Sequence, residues 1–232
     1  MVALLALPGV ALAAVVKGKT QGAQKLMNPV WNEAKDPNLH RYTFREPSAT
    51  VRQDVRALTA FLPKELCIAA LGEEGKPDKR PMRVVIAGGR TTPVTLVVAP
   101  GQMIQFENHD PFAHAIYDTG KKGLEPTPTA PSSQRTWTPP GPGKYEIRDK
   151  ATPSLRSWIV VEPKAVAVGY PFNRTGDFAL ELEPGHYRLR GYFNGEPVGS
   201  ELEVDVRPKP NEQELKSPLV VSEGKDSADG GT

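Results

Sequence analysis

Short apolar runs, each closed off by glycine or proline, recur from residue 82 to residue 206, and no other feature of the chain constrains its fold as strongly. The runs fall at 82–87, 94–98, 103–108, 115–117, 144–148 and 157–161, then at 165–168, 178–182, 186–192 and 201–206. Between them stand Gly88-Gly89, Pro100-Gly101, Asp110-Pro111, Gly141-Pro142-Gly143 and Pro184-Gly185. Such breakers leave no room for helices of ordinary length, whereas hairpin turns and strand ends require them. The chain's 24 prolines and 21 glycines are spread throughout rather than gathered in one tract, which fits many turns and excludes a collagen-like repeat. Alternation is clear where Phe178, Leu180 and Leu182 interleave with Ala179, Glu181 and Glu183, the pattern of a half-buried strand. The expectation is an all-β chain of sandwich or barrel type.

The remaining segments divide the chain. Residues 1–14 are apolar and end in Ala11-Leu12-Ala13 followed by Ala14, the small-residue pattern of a secretory cleavage site. No Lys or Arg precedes that stretch, so a buried N-terminal strand is the competing reading. The stretch is too short for a bilayer and is broken by Pro8-Gly9, so no transmembrane segment is expected there. Residues 15–81 form an irregular N-terminal region contributing first strands, one at 15–19 and a buried one at 65–71 containing Cys67. Within it, Val51, Val55, Leu58 and Leu62 recur at spacings that predict a helix over 48–62, capped by Ser48 and stopped by Pro63; a strand remains open. Residues 82–162 form a core sandwich and 163–208 a smaller module that needs a neighbour to pack against. Residues 209–232, rich in Lys, Glu, Ser, Gly and Asp, read as a disordered tail.

Two stretches resemble known families. Residues 100–114, with Gly101, Phe106, Asn108 and His114, resemble the strand and loop that bring the first copper-ligand histidine into cupredoxins. Residues 143–149 followed by 158–161 resemble that family's penultimate strand, ligand loop and last strand. The resemblance implies a cupredoxin-like β-sandwich over about eighty residues. It also implies that the ligand cysteine's place falls near Asp149 and that of the second histidine near Thr152. Soft sulfur ligands select and tune copper, so a blue-copper centre is not expected from these residues. Further on, Gly176, Phe178, Pro184, Gly185, Tyr187 and Leu189 resemble the carboxypeptidase regulatory-like, transthyretin-like module, a non-catalytic attachment in secreted proteins.

The function classes narrow accordingly. A formal charge of +2 gives no field for a polyanion, so nucleic acid is not an expected partner. A single cysteine excludes an internal disulfide. No G-x-S-x-G elbow or phosphate loop occurs, and no particular pair of carboxylates stands out, so the chain reads as non-catalytic. The leading expectation is an exported binding or structural component of the cell envelope. It has no cofactor, its partner is another envelope protein, and its location is periplasmic or secreted. The alternative is a periplasmic copper or zinc protein using His114, His109 and Asp149, because a His/His/carboxylate set is hard enough for zinc or non-blue copper.

Overall fold

The computed structural model describes residues 13–27 and 60–222. Its strands are β1 (Ala14–Gln21), β2 (Leu66–Leu71), β3 (Met82–Ala87), β4 (Arg90–Thr92), β5 (Thr95–Val98), β6 (Ile104–Asn108), β7 (Ile116–Asp118) and β8 (Gln134–Trp137). They continue with β9 (Gly143–Asp149), β10 (Arg156–Val161), β11 (Ala165–Gly169), β12 (Asp177–Leu182), β13 (Gly185–Phe193), β14 (Glu196–Val206), β15 (Glu212–Glu214) and β16 (Leu219–Val220). One turn of 3-10 helix (Ala23–Lys25) and one turn of α-helix, α1 (Leu62–Glu65), are the helical elements among the described residues. The helix expected over 48–62 lies outside the described residues up to residue 59.

The strands make four sheets, ordered β4-β3-β6-β8, β5-β10-β9-β7, β11-β2-β13-β14 and β12-β1-β15, with β16 also on β1. The first two close face to face on Val84, Ile86, Phe106, Ile147 and Ile159 and form the central sandwich. Its pairs β3/β6 and β5/β10 run parallel, and the rest of its ladders run antiparallel. The other two sheets close on Val16, Leu66, Ile68, Phe178, Leu180, Leu189 and Leu219 and form a terminal sandwich.

Side-chain alternation explains how the two sandwiches join. In β2, Leu66, Ile68 and Ala70 face the terminal core, while Cys67, Ala69 and Leu71 face the other way. That second set meets Val97 of β5 and Val160 of β10, whose neighbours Leu96, Val98, Ile159 and Val161 face the central core. The apolar run at 66–71 is therefore continuous because its strand is buried on both faces. Four sheets stack in series, with three apolar layers between them.

The domain plan differs from the sequence expectation. The smaller module at 163–208 takes β1 and β2 from the N-terminal region as full partners, so the central sandwich is an insertion within it. Nor does the expected tail hold for residues 209–222. Strands β15 and β16 pair in parallel with β1, and Leu219 and Val221 are buried. Residues 223–232 lie outside the described residues. The pairing is made by backbone, as in Val15 N–H to Asn211 O at 2.7 Å and Val221 N–H to Gln21 O at 2.9 Å, which composition does not reveal.

Candidate functional site

His114 sits just before β7 and is 0% exposed. Its backbone bridges to Thr129, with N–H to O distances of 3.1 and 2.7 Å, which pins the loop it occupies. Its ring lies between two carboxylates: Nδ1 is 2.8 Å from Asp149 Oδ2, and Nε2 is 3.0 Å from Asp110 Oδ2. Both aspartates are themselves buried. The sequence pattern singles out His114 and Asp149, and the fold brings them together. It misses Asp110, four residues before the histidine.

Each carboxylate is fixed by main chain. Asp149, the last residue of β9, accepts from Ala115 N–H at 2.6 Å and from Thr152 N–H at 2.8 Å. Asp110 accepts from Gly88 N–H at 2.6 Å and Gly89 N–H at 2.8 Å. These two glycines form the two-residue turn between β3 and β4 with φ of 60° and 65°, a turn that excludes β-branched residues and aims both N–H groups the same way. The Gly89 N–H bond is the chief cause that holds the Asp110 carboxyl below its ordinary value. The Gly88 N–H and the His114 ring act the same way, and burial works against all three. Three separate connections, β3–β4, β6–β7 and β9–β10, thus meet on one imidazole.

The neighbouring loop is equally constrained. Asn108, buried at the end of β6, donates from Nδ2 to Phe112 O, Thr129 O and Ala130 O at 2.8, 3.0 and 3.1 Å, while its Oδ1 accepts from Asp110 N–H at 2.9 Å. Phe112 lies across the outer side of the clasp, its ring 4.7 Å from that of His114 and 45% exposed.

His109 takes another direction. It is exposed, and its Nε2 lies 3.4 Å from Glu107 Oε2. Glu107 is gripped by Arg83 through two bonds and by Gln105 at 2.7 Å; the Arg83 guanidinium is the main reason its carboxyl falls to about 2. The fold therefore joins His114 with Asp149 and Asp110, and joins His109 with Glu107. Among the described residues, no group of three or more His, Cys, Asp or Glu side chains is arranged to hold a metal ion. Cys67 lies in the apolar layer between the sandwiches, and burial pushes its thiol up to about 11. The position facing His114 supplies the Asp149 carboxylate, bonded to the ring and to two main-chain N–H groups.

No protein-family model matches the chain, and no curated protein matches it. Solved structures similar to it include cupredoxins. The oxidised state of a point mutant of amicyanin is 19% identical over 41% of this chain and 98% of its own, with a TM-score of 0.34. A purple cupredoxin from Nitrosopumilus maritimus is 16% identical over 35% of this chain and 99% of its own, with a TM-score of 0.32. A copper-containing nitrite reductase from Thermus scotoductus SA-01 is 21% identical over 40% of this chain and 25% of its own, with a TM-score of 0.33. The described residues are all-β apart from two single helical turns.

Proposed function

We propose that this protein is an exported, non-catalytic binding or structural component of the cell envelope, built on a cupredoxin-like scaffold whose ligand end is closed by a hydrogen-bonded clasp. The observation that carries the reading is the His114 ring with both nitrogens engaged by carboxylates that are in turn held by four main-chain N–H groups. A ligand site keeps lone pairs converging on an open position; here the carboxylate oxygens are taken up by the ring and by main-chain N–H groups. The motif resembling the carboxypeptidase regulatory-like module supports the same reading, since such modules are attachments rather than catalysts. Its Pro184-Gly185 turn and Tyr187, whose hydroxyl donates to Glu183 O at 3.0 Å, lie where β12 passes into β13. No helix among the described residues is long and apolar enough to cross a membrane.

Fractionation of the native cells after mild chemical cross-linking tests the proposal. The expected result is a processed chain in the periplasmic or extracellular fraction, cross-linked to an envelope protein. Recovery of the chain in the cytoplasm would overturn it.

A second reading, a periplasmic copper or zinc protein, is favoured by the adjacency of His114 and Asp149. It requires Asp149 to release Nδ1 and His109 to leave Glu107, so that His114, His109 and Asp149 converge on one ion while Asp110 keeps its bond to Nε2.

A further inference from the structure

Strand β14 has a neighbour on one side only. It pairs antiparallel with β13, from Gly185 opposite Val206 to Phe193 opposite Glu196, and it ends the order β11-β2-β13-β14. Its first part is covered, since a Cβ on Gly199 would stand 1.8 Å from Val220 O. Residues 200–206 keep an open edge, longer than any other among the described residues. β4, β7 and β15 have three residues each, and β5 and β8 have four. β11 gives Ala165 O to Lys76 N–H at 3.2 Å, and it lies close along β12, where a Cβ on Gly169 would stand 2.8 Å from Ala179 O. Main-chain groups alternate in direction along a strand, which fixes what the open edge offers. Gly72 N–H, next after β2, turns to Lys164 O on the β11 side. The groups of Leu71 and Ala69 therefore turn to Arg188 and Arg190 of β13, and those of Leu189 and Tyr187 turn to Leu202 and Val204 of β14. What remains on the open edge is the N–H and C=O of Glu201, Glu203 and Asp205.

The side chains of those three residues stand on the sheet face away from the terminal core, which Leu202, Val204 and Val206 face. Arg188 and Arg190 hold Glu201 at 2.8 and 3.2 Å, and His186 holds Asp205. Glu203, between them, is exposed and makes no ion pair among the described residues. An antiparallel pair of two copies centred on Glu203 would set Glu203 against itself and Glu201 against Asp205, so the acidic row turns a second copy away. A strand with cations at alternate positions meets no such barrier. We infer that the open edge of β14 docks an extended segment of a partner protein in which Lys or Arg alternates with apolar residues. Main-chain bonds to residues 201, 203 and 205 add the segment as a further strand, and its alternate side chains decide which segment is accepted. Its cations lie beside Glu203 and the acidic row, while its apolar side chains extend the terminal core past Leu202 and Val204. The inference rests on the binding-component reading above and supplies the surface and the partner's chemistry.

The test is fluorescence anisotropy of two labelled synthetic peptides, one alternating Lys and Val and one alternating Glu and Val, titrated with the full chain. Glu203→Pro removes an N–H that points off the edge, so the β13 ladder keeps its bonds and the urea midpoint stays near that of the wild type. Glu203→Lys keeps the N–H and reverses the charge. The expected result is that the wild type binds the Lys–Val peptide in preference to the Glu–Val peptide. Glu203→Pro then binds the Lys–Val peptide at least about tenfold more weakly. Glu203→Lys shifts the preference toward the Glu–Val peptide by about tenfold. Equal affinity in wild type and Glu203→Pro, an unchanged preference in Glu203→Lys, or no binding by the wild type would each overturn the inference. The binding-component reading answers separately to cross-linking in cells. An envelope partner captured as well by Glu203→Pro as by the wild type would overturn this surface while leaving that reading standing.

Discussion

Replacing His114 with alanine lowers the unfolding free energy by about 3 kcal/mol, a loss read from urea unfolding of the wild type and the variant at neutral pH. The size follows from what is left behind rather than from the imidazole's own packing. Asp149 and Asp110 are buried, and each gives Oδ2 to the ring. Without it, both carboxylates keep their main-chain donors but face a cavity and each other. Truncating one partner of a buried charged network costs far more than deleting an exposed pair. His114→Gln, whose side chain still donates hydrogen bonds through its amide NH2, recovers part of the loss. A change below about 1 kcal/mol in His114→Ala would mean that the clasp is not what ties the three connections together.

Replacing Phe178 with alanine costs about 4 kcal/mol, and the cost falls on the terminal sandwich. Phe178 is 1% exposed on β12, and its ring fills the space a side chain at residue 18 would take, because a Cβ there would stand 2.6 Å from Cζ of the ring. The cavity opens among strands from both ends of the chain. Amide exchange therefore accelerates in β1 and β12 by about a thousandfold, since each 1.4 kcal/mol is a factor of about ten. In β9 and β10, whose Ile147 and Ile159 belong to the central core, the acceleration is much smaller. Equal acceleration in both sandwiches would contradict an inserted central sandwich with a core of its own.

The strands are legible wherever apolar residues alternate or run without a break. Those at 82–87, 178–182 and 66–71 need only the period of the pleat and the turn signals that flank them. Strands β4 and β8 are not legible, because Arg90-Thr91-Thr92 and Gln134-Arg135-Thr136 offer main chain to β3 and β6 while presenting polar side chains. Strand β15, Glu212-Gln213-Glu214, is hidden for the same reason, whereas β16 is a short apolar pair, Leu219-Val220, set in a charged stretch. Of the site, His114 and Asp149 are legible through the resemblance. Asp110 reads as a turn residue, since its role depends on N–H groups of a Gly-Gly turn more than twenty positions upstream. The signal that could have found it is an aspartate four residues before a histidine on a loop closed by Asn108.

The direct test of the sealed ligand end is calorimetric titration of the full wild-type chain and of His114→Ala with Cu²⁺ and with Zn²⁺ at neutral pH. The account predicts no near-stoichiometric binding by the wild type and the same residual heat in both proteins. Tight binding of one ion per chain, lost in His114→Ala, would contradict it and make this a metal protein that opens the clasp to load its ion.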